Sequence, residues 1–214
     1  MTSEMNKTII DALTWRRAVK VFDTTKKVSD ADLDTILEAG RLAPSSMGIE
    51  AWKFIVVEDP AVRARLREAA YGQAQVTDAS HLIVITRRTD AENIAPELVA
   101  RTAKAQGKPE SELDGLLKMA TGGVMGLPEG AVRDGWLAGQ TYIPLGMMMA
   151  AASMMGVDNA AMGGFDPAKV DEILGLTAKH LASVSFMVLG YRADDAYSKM
   201  PKVRRPIGEV VERI

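Results

Sequence analysis

The stretch at residues 135–157, GWLAGQTYIPLGMMMAAASMMGV, carries no charge between Asp134 and Asp158 and is apolar on nearly every face of a helix. A membrane-spanning helix needs roughly 20 apolar residues, so the length alone raises that reading. Gln140, Thr141, Tyr142, Pro144, Ser153 and four glycines argue against lipid. The flanks argue the same way, because aspartates stand where a bilayer edge calls for Lys/Arg anchors and aromatic belts. The stretch is therefore read as a helix buried on all sides, in a protein core or a subunit interface. Its methionines, Met147, Met148, Met149, Met154 and Met155, suit irregular packing gaps. A chain of 214 residues is expected to form one domain. One small core rarely surrounds a helix completely, so an intertwined homodimer is expected to supply the missing partners.

Upstream, Ile9, Ile10, Leu13 and Trp15 fall on one side of a first helix that Ser3 can cap. The chain then runs into Arg16, Arg17 and Lys20. Three cations in five residues make either a solvated edge or a grip for a phosphate, and on this stretch alone the edge is favoured. Ser29 caps a second helix, with Asp30 and Asp32 in its first turn and Leu33, Ile36, Leu37 and Leu42 on its apolar face. Residues 44–52, PSSMGIEAW, form a loop before a strand at 53–57. Loops of this kind are usually mere connections. Adjacent Ser45 and Ser46 before Gly48 can, however, present hydroxyls and N–H groups to a phosphate or a ribityl chain.

Asp59 and Pro60 open a third helix, with Val62, Leu66 and Ala69 inward. Residues 82–85, LIVI, are a continuous apolar run suited to a strand covered on both faces. From about 90 to 127 the chain turns polar, with weak amphipathic patterns near 98–105 and 113–119, and the pair Gly122-Gly123 ends it. This is a helical excursion, of the sort that can serve as a lid. Asp166, Pro167 and Gly175 frame a short helix. Before it, Gly163-Gly164 make a tight turn or admit a close neighbour. Residues 181–189 form another apolar strand, and 201–206, PKVRRP, a second basic cluster. Helices and strands mix without βαβ alternation, so the expected class is α+β with a helix-flanked sheet.

Composition narrows the function. With 47% hydrophobic and 25% charged residues and a formal net charge of −2, the chain has no bulk attraction for nucleic acid or an anionic membrane. The lack of cysteine excludes disulfides, thiolate metal sites and cysteine nucleophiles. His81 and His180 each precede an apolar run and are expected to be strand-entry residues, so no metal site is expected. Glu4 and Asp11 interrupt the N-terminal apolar residues, which leaves no signal-peptide core and points to the cytoplasm. No GxGxxG follows a strand, and no Walker sequence or nucleophile elbow is present.

Residues 16–22 (RRAVKVF), 43–52 (APSSMGIEAW) with 54–56 (FIV), 73–81 (QAQVTDASH), 162–166 (MGGFD) and 201–204 (PKVR) resemble, in order and spacing, the motifs of FMN-dependent, NAD(P)H-using nitroreductases. The likeness spans nearly the whole chain and leaves only the excursion unmatched. It implies an α+β homodimer with a central mixed or antiparallel sheet and a long interface helix. By the same resemblance, Arg16, Lys202 and Arg204 hold the FMN phosphate, with Arg17 and Ala18 along the same wall. Lys20 lies near the flavin N1 and O2 edge, and Gln73 and Gln75 along the pyrimidine rim. Ser45, Ser46 and Gly48 reach the FMN bound mainly to the other subunit. The backbone at Gly163 and Gly164, with Met162 beside it, meets flavin N5. Several relatives carry glutamate at the position of Gly163 and lysine at that of Gln75, which bears on substrate handling and flavin potential.

With FMN carrying the redox step, no catalytic side chain is required. The resemblance implies hydride transfer from NAD(P)H through N5 to nitroaromatic, quinone or related acceptors, by a two-electron ping-pong route. Enone reduction, reductive dehalogenation, flavin breakdown, and flavin binding without turnover are the alternatives.

Overall fold

A computed structural model describes the backbone of residues 2–214 and the side chains from residue 8 onward, so the Ser3 cap falls outside the described residues. Helix α1 (Thr2–Trp15) leads into α2 (Asp30–Arg41), strand β1 (Trp52–Val57), α3 (Pro60–Ala69), the short α4 (Gln75–Asp78) and β2 (His81–Arg88). Helices α5 (Ala91–Gln106), α6 (Asp114–Met125) and α7 (Ala131–Met154) follow, then β3 (Asp158–Met162), α8 (Pro167–Leu174) and β4 (Leu181–Gly190). The expected caps form. Ser29 Oγ accepts the Asp32 N–H at 3.1 Å, Asp59 accepts from Ala61 at 2.7 Å, and Asp166 accepts from Ala168 at 3.1 Å. Each satisfies an N–H that the first helical turn leaves unpaired, worth about 1 kcal/mol.

The sheet order is β1-β2-β4-β3, antiparallel at every pairing. Successive strand side chains point to opposite faces, so the central strands fill two cores. Leu82, Val84, Phe186 and Val188 pack with Leu66, Val76 and Val170 of α3, α4 and α8. Ile83, Ile85, Met187 and Leu189 pack with Ile36, Leu145, Met148 and Ala152 of α2 and α7. The architecture is α+β, a sheet covered by helices on both faces, as the two apolar runs and the mixed element order require.

A third core lies off the sheet. Ile94, Leu98, Ala120 and Val124 of the excursion close on Ile49, Ala51 and Leu137. The pair Gly122-Gly123 does not end the excursion, because α6 continues through it to Met125, held by neighbours rather than by propensity. Leu42 does not join the apolar face of α2: it is the C-cap residue and 61% exposed. Strand β3 carries no strand signal in its sequence, since DNAAM shows neither alternation nor β-branched residues.

The central helix α7 starts four residues before the uncharged run, and a single chain does not bury it all round. Leu137, Thr141, Leu145, Met148 and Ala152 face inward, while Tyr142 (55%), Ile143, Met147 and Met154 (53%) are exposed along the opposite side. Among the described residues, no helix is long and apolar enough to cross a membrane.

Candidate functional site

The two basic clusters, about 185 residues apart in sequence, meet. Arg16, Arg17 and Ala18, leaving the end of α1, line a cleft of about 350 Å³ with Tyr197, Met200, Lys202 and Arg204 from the C-terminal segment. Lys202 Nζ donates to Leu13 O at 2.5 Å and Arg16 O at 2.7 Å. It thus closes the C-terminus of α1, where unpaired carbonyls carry partial negative charge. Arg17 Nη1 donates to Met200 O at 2.9 Å, and its buried Nε has no partner among the described residues. Among the described residues, Arg204 donates to its own neighbour, Val203 O, at 2.6 Å.

Among the described residues, none of these four cations is in an ion pair with a carboxylate. Burial, and then Arg204, pull the Arg16 guanidinium below the usual arginine range. Burial, then Arg16, Arg204 and Arg17, lower the Lys202 ammonium. Like charges gathered without a counter-charge disfavour their own ionised forms, and an anion in the cleft reverses that penalty.

From the cleft a strip of contacts leads to the end of β3. Ala18 bridges in parallel to Asn159 of β3. Next come the buried Val19 and the exposed Lys20. Gln75 Nε2 lies 3.5 Å from Val19 O, and Gln75 is only 5% exposed, so it offers little open surface. Gln73 Nε2 donates to Gly164 O at 2.7 Å and to Ala70 O at 3.1 Å. A Cβ on Gly164 would stand 3.3 Å from that amide nitrogen, so glycine keeps the contact uncrowded. Met162 is buried and pairs with Phe186, and Gly163 and Gly164 emerge exposed beyond it.

Two anchors under this strip escaped the sequence reading. Arg63 of α3 is buried and donates to Val76 O (2.8 Å), Ala79 O (2.6 Å) and Ser80 O (3.1 Å), pinning the segment that carries Gln73 and Gln75. In the sequence it is indistinguishable from Arg65 and Arg67. Asp158, 3% exposed, accepts Arg192 Nε at 2.8 Å and the Arg192 backbone N–H at 2.8 Å. The Arg192 guanidinium lies 4.3 Å from the Trp15 ring centroid, which fixes the chain just before Arg16. Only the position of Asp158 beside the apolar run hinted at it.

Ser45, Ser46 and Gly48 do not line the Arg16–Arg204 cleft. They stand against the third core, where Ser45 Oγ accepts the Glu50 N–H at 2.9 Å and the Ser46 N–H donates to Gln140 Oε1 at 2.8 Å.

Four cations with no carboxylate partner among the described residues thus meet in a cleft, and a glycine turn follows the edge strand β3 of the helix-flanked antiparallel sheet. Residues 13–191 match the Nitroreductase family, and the chain belongs to it. It is 37% identical to a Bacillus subtilis (strain 168) protein named "Putative NAD(P)H nitroreductase YfkO", over 98% of this chain and 99% of that one. It is 36% identical to a similarly named Staphylococcus haemolyticus protein, over 99% and 100%. The fold matches the B. subtilis nitroreductase-type protein ydfN at a TM-score of 0.84, with 22% identity over 100% of both chains. It also matches an Exiguobacterium sibiricum protein solved in complex with FMN at 0.80, with 23% identity over 96% and 97%. The enone reductase CLA-ER matches at 0.78, with 21% identity over 96% and 97%.

Proposed function

We propose that this protein is an FMN-dependent, NAD(P)H-consuming oxidoreductase in which residues 1–214 act as one domain. The observation that carries the reading is the cation cluster without a counter-charge. FMN ends in a phosphate that Arg16, Arg204 and the spare buried Arg17 Nε suit, since guanidinium N–H groups match phosphate oxygens in geometry and charge. Lys202 holds the wall in place, and Ala18 lets the backbone approach. When bound, FMN supplies two-electron hydride chemistry between NAD(P)H and a nitroaromatic, quinone or related acceptor.

The chain's part is placement. Lys20 sets a positive charge where reduction adds negative charge. Gln73 fixes the Gly163–Gly164 turn, whose backbone would face the flavin N5, and Gln75 would back the pyrimidine rim from within. A second copy covers the exposed side of α7 at Tyr142, Ile143, Met147 and Met154, and brings Ser45, Ser46 and Gly48 to the partner's flavin. The cytoplasm, where NAD(P)H is abundant, suits this chemistry.

One pocket serving both substrates in turn makes double-reciprocal plots parallel at several acceptor concentrations, for a panel of nitroaromatics, quinones and enones. Intersecting lines rule out the shared pocket, and no turnover with any acceptor leaves a flavin-binding protein. Sedimentation of the same preparation should give a dimer; a stable FMN-loaded monomer near 23.1 kDa contradicts the assembly.

A further inference from the structure

The polar interruption in the central helix has a partner. Gln140 accepts the Ser46 N–H at 2.8 Å, at the head of a loop that takes positive φ at Met47 (56°), Gly48 (74°) and Glu50 (45°). Glycine adopts such angles freely. Methionine and glutamate rarely do, and they stay there only where the surroundings over-determine the backbone. Here the surroundings do so. Ser45 Oγ takes the Glu50 N–H, and Glu50 meets Arg101 of α5 at 3.5 Å. A Cβ on Gly123 of α6 would stand 2.4 Å from Met47 Cε and 2.6 Å from Sδ, so the bare glycine is the seat of the Met47 thioether. Helices α5, α6 and α7 each hold one point of the same six-residue turn.

We infer that Gln140 is a positioning residue that presets the 45–50 loop for the flavin of the partner subunit, with the Gly123 seat as its second fixing point. The inference rests on the reading above that Ser45, Ser46 and Gly48 reach FMN across the dimer. An unheld loop has to be ordered when the ligand arrives, and that ordering is subtracted from affinity. Helices α5 and α6 then act as a brace behind the loop, which gives the excursion a role its polar sequence did not suggest.

The test uses FMN-stripped full-length protein, FMN as the titrant, and two variants. Gln140→Met keeps length and helix propensity but removes the strong acceptor. Gln140→Glu keeps an acceptor at the same reach. Loss of one net hydrogen bond predicts FMN affinity about three- to tenfold weaker in Gln140→Met. The FMN-free protein should melt slightly lower, by no more than the loss of that one bond accounts for, and Gln140→Glu should restore both binding and stability. Gln140→Met binding FMN as tightly as the parent overturns the inference while leaving the cleft assignment standing. So does a drop in affinity matched by a drop in FMN-free stability that Gln140→Glu fails to repair. A parent that takes up no FMN overturns both readings at once.

Discussion

Alanine at both Arg16 and Arg204 should weaken FMN binding by about a hundredfold to ten-thousandfold. Each charge-assisted contact to a phosphate is worth roughly 1.5–3 kcal/mol, and every 1.4 kcal/mol is tenfold in affinity. Among the described residues neither guanidinium anchors another element: Arg204 bonds its neighbour's carbonyl, and Arg16 and Arg204 repel each other. The FMN-free protein should therefore melt no lower than the parent. Lys202→Ala should behave differently, losing both FMN and stability, because Lys202 also closes the end of α1. Dialysis followed by flavin quantitation, with thermal melts of the stripped proteins, separates the two patterns. A double variant that keeps its flavin like the parent removes the phosphate assignment.

Asp158→Ala should cost about 3 kcal/mol of folding stability. Removing one partner of a buried pair leaves the other charge uncompensated, which typically costs about 3–5 kcal/mol. The lower end applies because the Arg192 side chain is 21% exposed, against 4% for Asp158, so water takes up part of the loss. The Asp158→Ala, Arg192→Met double variant should recover much of it, since no stranded cation remains. Urea denaturation of the parent, the single variants and the double variant measures this. An Asp158→Ala cost below about 1 kcal/mol, the size expected of a solvated surface pair, would show the network to be ornamental. Because Arg192 also lies over Trp15, the single variants should also loosen the entry to the cleft.

These sites differ in how far the sequence revealed them. Ser29, Asp59-Pro60 and Asp166-Pro167 act within a few residues of themselves, and such local chemistry is legible in one dimension. The runs 82–85 and 181–189 were legible because a strand buried on both faces needs apolar residues at every position. Strand β3 was not, because its short side chains are selected by the neighbours Phe186 and Val188 rather than by propensity. A single chain buries one side of α7 and leaves Tyr142, Ile143, Met147 and Met154 exposed, and pattern alone cannot say whether an apolar face meets the same chain or another.

The cluster at 16–20 alone reads as a solvated edge, and neither basic cluster is decisive by itself. Their joint meaning depends on the fold, which brings Arg204 to Arg16 across nearly the full sequence. The family motifs supplied that connection where spacing could not. Arg63 and Gln140 were silent for the same reason: their partners are backbone groups, and a carbonyl or an N–H carries no sequence signature.

The absorbance spectrum of the purified, FMN-reconstituted protein, before and after anaerobic NAD(P)H, decides whether this chain is a flavoprotein that NAD(P)H reduces. The protein should be yellow and retain about one flavin per subunit through dialysis, and its visible flavin absorbance should bleach on NAD(P)H and return when a nitroaromatic or quinone acceptor is added. A protein that loses all flavin on dialysis, or a bound flavin that NAD(P)H leaves unbleached, contradicts that reading.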